Sequence, residues 1–299
     1  MATIDAGANG CNSPTGIKVD HKQNLWVACY ESGSIQSYSP GSNQLSATYD
    51  DYYCEAYCHS QGAAATQPGA RSAKIKGHCE IGGAPADVAF DSQGHVFAAN
   101  PSSALTCPTF GMSGVAALVW WKRHSPHSNM VTIAGGAAFS LDVDAAGNLY
   151  AGVGDNCYPS SSGYACENAV DEVDNPTGSS PTPTEIIPPV SADLLGGIYV
   201  SNNGTVLNVV DETARTISQY KLPWIASETP FNILGPTLAR MGKGEPTSGG
   251  FDEGDKHLVL GDADGWIDLG SVATNHWSTV SKKNLKYGNY GAAYVPSDK

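Results

Sequence analysis

PTGIKVDHKQNLWVACYESGSIQSYSPGS, residues 14–42, is the stretch on which the fold turns. It reads as three short strands, Gly16–Asp20, Asn24–Cys29 and Ser34–Tyr38. They are rich in β-branched and aromatic residues and separated by polar turns of about three to five residues. One such sheet cannot bury its own face, so the unit has to be repeated. It returns as APADVAFDSQGHVFAAN (residues 84–100) and as AAFSLDVDAAGNLYAGVGD (residues 137–155). Each copy runs a strand into an Asp (Asp20, Asp91, Asp144) and closes a turn on Asn24, His95 or Asn148. An apolar-aromatic pair then follows: Leu25-Trp26, Val96-Phe97 or Leu149-Tyr150. Asp and the turn glycines are turn chemistry, the carboxylate capping backbone N–H groups and Gly accepting positive φ.

Two weaker copies occupy residues 196–222 and 248–270, and YGAAYVPSDK (residues 290–299) matches only the first strand. Without its insertions the unit is on the order of 40 to 50 residues long, the length of a four-stranded propeller blade. Pro14–Ala28, Pro85–Ala99 and Phe139–Gly152 resemble the NHL repeat of the gluconolactonase-like and streptogramin-lyase-like β-propellers. Leu207–Tyr220 keeps the second half of the pattern, with Asp211. The expectation is an all-β protein, one β-propeller domain over residues 1–299, with four-stranded antiparallel blades. Six blades come first and five second; closure would pair AAYV near the C-terminus with ATIDA near the N-terminus, removing exposed edges.

Composition agrees with this class. The 299 residues include 34 Gly and 18 Pro, with 15% charged and 41% hydrophobic residues, a turn-rich chain able to bury a core. A net charge of -13 argues against a phosphate-tracking surface, so no nucleic-acid partner is expected. No apolar run is long enough to span a membrane. Eight cysteines, an even number, point to an oxidising compartment, hence an extracellular, periplasmic or cell-surface location. MATIDAGANG lacks the basic start and apolar stretch of a signal peptide; the expectation is a leader removed and Met1 added.

In a propeller the strands run A to D outward from the axis. B–C loops and D–A connections then open on one face, A–B and C–D turns on the other. This places Cys11, Cys29, Cys54, Cys58, Cys79, Cys107, Cys157 and Cys166 on a single face, with an insertion at 51–83 and long loops at 101–114 and 156–166. The expected pairs are Cys11–Cys29, Cys79–Cys107, Cys157–Cys166 and Cys54–Cys58, the last open to exchange within the insertion. Long stapled loops on a rigid scaffold are where binding or catalysis normally sits.

Candidate binding residues on that face are Tyr30, Glu31, Asn100, Asp155, Asp211 and Asp262, with Tyr52, Tyr53 and Tyr57 as exposed aromatics for gripping a sugar or a protein. Carboxylates converging near the axis could hold Ca²⁺, but Asp there also caps the B–C turn. The strand starts where the resembled lactonases carry ligands read Pro14-Thr15, Pro85-Ala86, Ala137-Ala138, Gly196-Gly197, Ser248-Gly249 and Tyr290-Gly291, with almost no ligating group. No metal and no cofactor is therefore expected, Ca²⁺ being the alternative.

For catalysis, His59 and His78 in the insertion are candidate general bases, with Asp155 as a carboxylate. His124 and His127 read as an exposed C–D turn, and CEAYCH (residues 54–59) as a small disulfide loop one residue too long for haem attachment. Two functions stay open: a recognition or extracellular structural module binding a protein, glycan or small molecule on the loop-rich face, and a propeller-type hydrolase or lyase with its site at the axial funnel.

Overall fold

The computed structural model describes residues 4–12, 14–30, 32–42, 44–49, 85–99, 117–125, 128–133, 137–160, 163–191, 195–201, 204–211, 216–223, 231–234, 246–251, 256–262, 267–271, 274 and 276–281, with backbone alone over 154–168 and a few other positions. Twenty strands form five four-stranded antiparallel sheets among these residues. The first comprises β1 (Pro14–Val19), β2 (Leu25–Cys29), β3 (Ser34–Tyr38) and β4 (Leu45–Tyr49). The second comprises β5 (Asp87–Phe90), β6 (His95–Ala99), β7 (Ala117–Lys122) and β8 (Ser128–Thr132). The third comprises β9 (Ala137–Val143), β10 (Leu149–Ser160), β11 (Gly163–Asp174) and β12 (Thr182–Ser191). The fourth comprises β13 (Leu195–Val200), β14 (Val206–Asp211), β15 (Thr216–Lys221) and β16 (Phe231–Leu234). The fifth comprises β17 (Pro246–Phe251), β18 (Leu258–Asp262), β19 (Ile267–Ser271) and β20 (His276–Ser281).

The first strands form a closed ring: β1 lies against β5, β5 against β9, β9 against β13, β13 against β17, and β17 against β1. The protein is a five-bladed β-propeller, the second of the two blade counts. With β17 already seated on β1, no place is left at the axis for a sixth inner strand. The fragment at 290–299 lies outside the described residues.

Because blade 2 is covered on both faces, its middle strands β6 (HVFAA) and β7 (ALVWWK) read as nearly unbroken apolar runs. Adjacent residues then enter different interfaces: Trp121 packs with Trp26, Tyr49 and Val96 between blades 1 and 2, while its neighbour Trp120 packs with Phe97, Leu141 and Leu149 between blades 2 and 3. Tyr150, Val170, Ile198 and Leu207 fill the next interface, and Tyr199, Val210, Leu258 and Leu260 the one after. Ile4 and Ala6 pack with Val27, Cys29 and Tyr38 on the face of blade 1 turned away from blade 2. They lead into a single 3-10 turn, Gly7–Asn9; AAYV, the expected closing partner of ATIDA, lies outside the described residues.

The Asp turns behave as their sequence requires. Asp20 accepts the N–H groups of Lys22 and Asn24 at 2.9 Å, Asp91 those of Gln93 and His95 at 2.9 and 2.8 Å, and Asp144 those of Ala146 and Asn148 at 2.9 Å. The residue three after each Asp has positive φ: Gln23 (63°), Gly94 (85°) and Gly147 (92°). In blade 4, Ser201 takes the place of Asp, accepting the Val206 N–H at 3.1 Å.

The stretch 156–166, expected as a loop, continues β10 and β11 as a long hairpin. β9 pairs with β10 only as far as Gly154, so the rest of the hairpin extends past the inner strand on the loop-rich side. Its register sets Cys157 opposite Cys166. The insertion at 51–83 and the loop at 101–114 lie outside the described residues.

Candidate functional site: the axial channel and its two mouths

The inner strands meet at the axis without pairing as a sheet, and side chains supply the ties. Asp87, on β5 and fully buried, accepts the Ser140 hydroxyl and the Leu141 N–H, each at 3.0 Å, linking blade 2 to blade 3. Ser140 in turn accepts the Ile198 N–H at 3.1 Å, which commits its own proton to Asp87. Asp142 accepts the Val200 N–H at 2.7 Å, linking blade 3 to blade 4.

Lys18, on β1 and only 9% exposed, crosses the channel to a blade that is not its neighbour. Its ammonium donates to the Leu141 carbonyl oxygen and lies 3.4 Å from Asp142 Oδ1 and 3.7 Å from Asp87 Oδ2. Burial works against that charge, but Asp142 and Asp87 outweigh it and hold the Lys18 pKa above its ordinary value. Burial pushes the Asp87 carboxyl up, and Lys18 with the donors on Leu141, Val88 and Ser140 draws it back only in part.

This arrangement requires the strands to approach closely. A Cβ on Gly16 would stand 2.5 Å from Asp87 Cα and 2.6 Å from the Ala86 carbonyl oxygen, so β1 can reach β5 only with Gly there.

At the A–B turn end of the channel lies a cavity of about 440 Å³, framed by the C-terminal ends of all five inner strands, with Lys18 and Asp142 its innermost polar residues. Phe90 and Phe251 contribute apolar wall, and the turn carboxylates Asp20, Asp91 and Asp144 stand around the rim. Each of these is engaged. Asp20 also accepts from Asn24 Nδ2 at 2.8 Å and Trp26 Nε1 at 3.1 Å, and pairs with Arg123 at 3.3 Å. Burial alone would raise its pKa, but the hydrogen bonds from Asn24, Trp26 and Lys22 hold it below the ordinary value. Asp91 Oδ2 meets His95 Nδ1 at 2.5 Å, and Asp144 Oδ2 accepts from Asn148 Nδ2 at 3.0 Å and the Tyr150 hydroxyl at 3.2 Å. Among the described residues, no three His, Cys, Asp or Glu side chains converge as a metal site.

Of the residues singled out from the sequence, the opposite, loop-rich mouth carries Cys11, Cys29, Tyr30 and Asp211 among those described. Cys11 and Cys29 form a disulfide there, with Cα atoms 5.0 Å apart, tying the N-terminal segment to the end of β2. Tyr30 follows directly and is 39% exposed. Asp211 ends β14, half-buried, opposite Leu195 and Thr216 in register. Asp155 and Asp262 lie in β10 and at the end of β18, but their side chains are outside the description, as are those of Cys157 and Cys166. Glu31, Tyr52, Tyr53, Tyr57, His59, His78, Asn100, Cys54, Cys58, Cys79 and Cys107 lie outside the described residues. His124 sits exposed in the turn after β7, its N–H donating to the Tyr49 hydroxyl at 3.0 Å; His127 is outside the description.

Sequence reasoning missed Lys18, Asp87, Ser140 and Asp142, although the repeat carried a signal. Two places before the turn Asp, blades 1 and 3 have Lys18 and Asp142, opposite charges in otherwise apolar strands. Four places before it, Gly16, Asp87 and Ser140 correspond.

Neither a family model nor a curated protein sequence matches the chain. Solved structures share its fold. A chain of a nidogen/laminin complex is 12% identical with a TM-score of 0.61, over 94% of this chain and 84% of that one. A luciferin-regenerating enzyme is 11% identical with a TM-score of 0.57, over 93% and 78%. Virginiamycin B lyase from Staphylococcus aureus is 12% identical with a TM-score of 0.54, over 95% and 75%. At such identities the likeness is one of fold.

Proposed function

We propose that this chain is an extracellular or periplasmic recognition module that binds a protein or glycan partner on its loop-rich face. The observation that carries this reading is the commitment of the axial polar groups. Lys18, Asp87, Ser140 and Asp142 tie four blades together, and Asp20, Asp91 and Asp144 are consumed in turn hydrogen bonds. A propeller built this way spends its central chemistry on rigidity, which suits a platform that presents loops. Further support comes from the Cys11–Cys29 crosslink beside exposed Tyr30, and from the long β10–β11 hairpin rising on the same side. A disulfide is compatible with an oxidising compartment. One of the similar structures, the nidogen/laminin complex, is itself a binding assembly.

The binding surface in this reading comprises Tyr30, Glu31, Tyr52, Tyr53 and Tyr57, with Asn100, Asp155, Asp211 and Asp262 around them. Cys157–Cys166 staples the hairpin, as its register allows, and binding requires no metal or cofactor.

Purified protein applied to glycan and extracellular-protein arrays tests the proposal. Binding that falls on substitution of Tyr30, Tyr52 and Tyr53 by Ala supports it. Turnover of lactone or ester substrates that is abolished by His59→Ala or His78→Ala would replace it with the hydrolase or lyase reading, in which those histidines act as general base. Two of the similar structures are enzymes, which is why that arm belongs in the experiment.

A further inference from the structure

The cavity on the A–B turn face stands apart from the loop-rich surface and asks for its own ligand. It measures about 440 Å³, within the range of small-molecule sites. Its walls combine the half-buried rings of Phe90 and Phe251 with an excess of negative charge. Around it stand the carboxylates of Asp20, Asp91, Asp142 and Asp144, against the cations Lys18, which pairs with Asp142, and Arg123, which pairs with Asp20.

The way these carboxylates are held decides which cation fits. Asp20, Asp91 and Asp144 each accept donors on both oxygens, the backbone N–H groups of their own turns among them. Asp142 is held likewise by Val143, Val200 and Lys18. Turning any of them to ligate a divalent metal would break a turn or an inter-blade tie. Lys18 and Arg123 offset Asp142 and Asp20, and the negative charge that remains at the rim acts inside a concave site with low-dielectric walls, where field lines concentrate. Aromatic faces add attraction for a cation that is weakly hydrated.

We propose that this mouth of the channel binds a small organic cation, an alkyl- or quaternary ammonium, through the field of the fixed carboxylates and the rings of Phe90 and Phe251 rather than through direct ligation. The site is independent of the loop-rich face, so it stands or falls separately from recognition there.

The test uses choline as probe and its uncharged isostere 3,3-dimethylbutan-1-ol as control, with the intact protein, by calorimetry or ligand-observed NMR. Choline should bind roughly tenfold or more tightly than the alcohol, the margin that field and cation–π terms together give. Ser92→Arg and Ala145→Arg, at exposed turn positions lining the rim, should each weaken choline roughly tenfold while leaving the melting temperature unchanged. Equal binding of choline and the alcohol, or choline binding indifferent to both arginines, would overturn the proposal. So would displacement of choline by millimolar Ca²⁺, since that would mean the carboxylates are free to ligate metal.

Discussion

Replacing Lys18 by Met examines the axial network directly. The side chain keeps its length and loses its charge, so the ring stays filled while Asp87 and Asp142 lose the ammonium 3.7 and 3.4 Å away. Asp142 is partly exposed, and solvent makes up much of its loss; Asp87 is fully buried and keeps only its donors from Ser140, Leu141 and Val88. Breaking a buried pair from one side costs about 3–5 kcal/mol, most of it the uncompensated charge left behind. For a chain of this size that is roughly 6–15 °C in Tm, at about 2–3 °C per kcal/mol.

The pH dependence carries a sign. Without Lys18 the Asp87 carboxyl rises further above its ordinary value, and a raised carboxyl favours the folded state fully only below its unfolded pKa of about 3.9 and loses that contribution as pH rises from there through the folded value. The Lys18→Met deficit should therefore be larger at pH 7 than at pH 5. In the wild type, Lys18 itself contributes below the unfolded lysine pKa of about 10.4, and that contribution is lost as pH rises through its higher folded value. Adding Asp87→Asn to Lys18→Met removes the stranded charge and should recover part of the loss. Thermal and urea melts by circular dichroism at pH 5 and 7 read all of this. A Lys18→Met variant within about 1 kcal/mol of wild type at pH 7, or a deficit that does not change with pH, would refute the reasoning.

Three further outcomes follow from the same geometry. Reduction of Cys11–Cys29, or Cys29→Ser, opens a loop of sequence separation 18 and should cost about 3 kcal/mol by loop entropy, seen as a reductant-sensitive Tm. Gly16→Ala drives a methyl group against the backbone of Ala86 and Asp87 and should cost about 1–3 kcal/mol, whereas Gly250→Ala, with nothing within 4 Å of the new methyl, should cost less. Asp20→Asn weakens the bonds to Asn24, Trp26 and Arg123 and should cost about 1–3 kcal/mol at neutral pH. Because the folded Asp20 pKa is lowered, its contribution is present above the unfolded value of about 3.9 and fades as pH falls through the folded one, so the variant should show a flatter acid limb in urea melts.

The repeat made much of this readable in advance. Asp20, Asp91 and Asp144 are local chemistry, each bonding residues two and four places on, and the Cys11–Cys29 pair followed from placing both on one face. Blade number was harder, because an inner-strand pattern such as YGAAYV is written the same way whether or not a place exists for it. That is decided by β17 meeting β1, a contact between ends of the chain. The axial ties were hidden for a related reason. Lys18 and Asp142 are 124 residues apart, and nothing local to GIKVD says that its lysine will find a carboxylate across a channel. The hairpin at 156–166 was obscured by Pro159, Ser160 and Gly163, which read as loop until the register of β10 against β11 shows them paired.

The most direct test of the account is binding on the loop-rich face measured against the opposite one. On a glycan and extracellular-protein array, wild type and Ser92→Arg should give the same specific signal, and a variant with Tyr30, Tyr52, Tyr53 and Tyr57 all replaced by Ala should lose it. A signal that survives the four alanines and vanishes with Ser92→Arg would contradict the account.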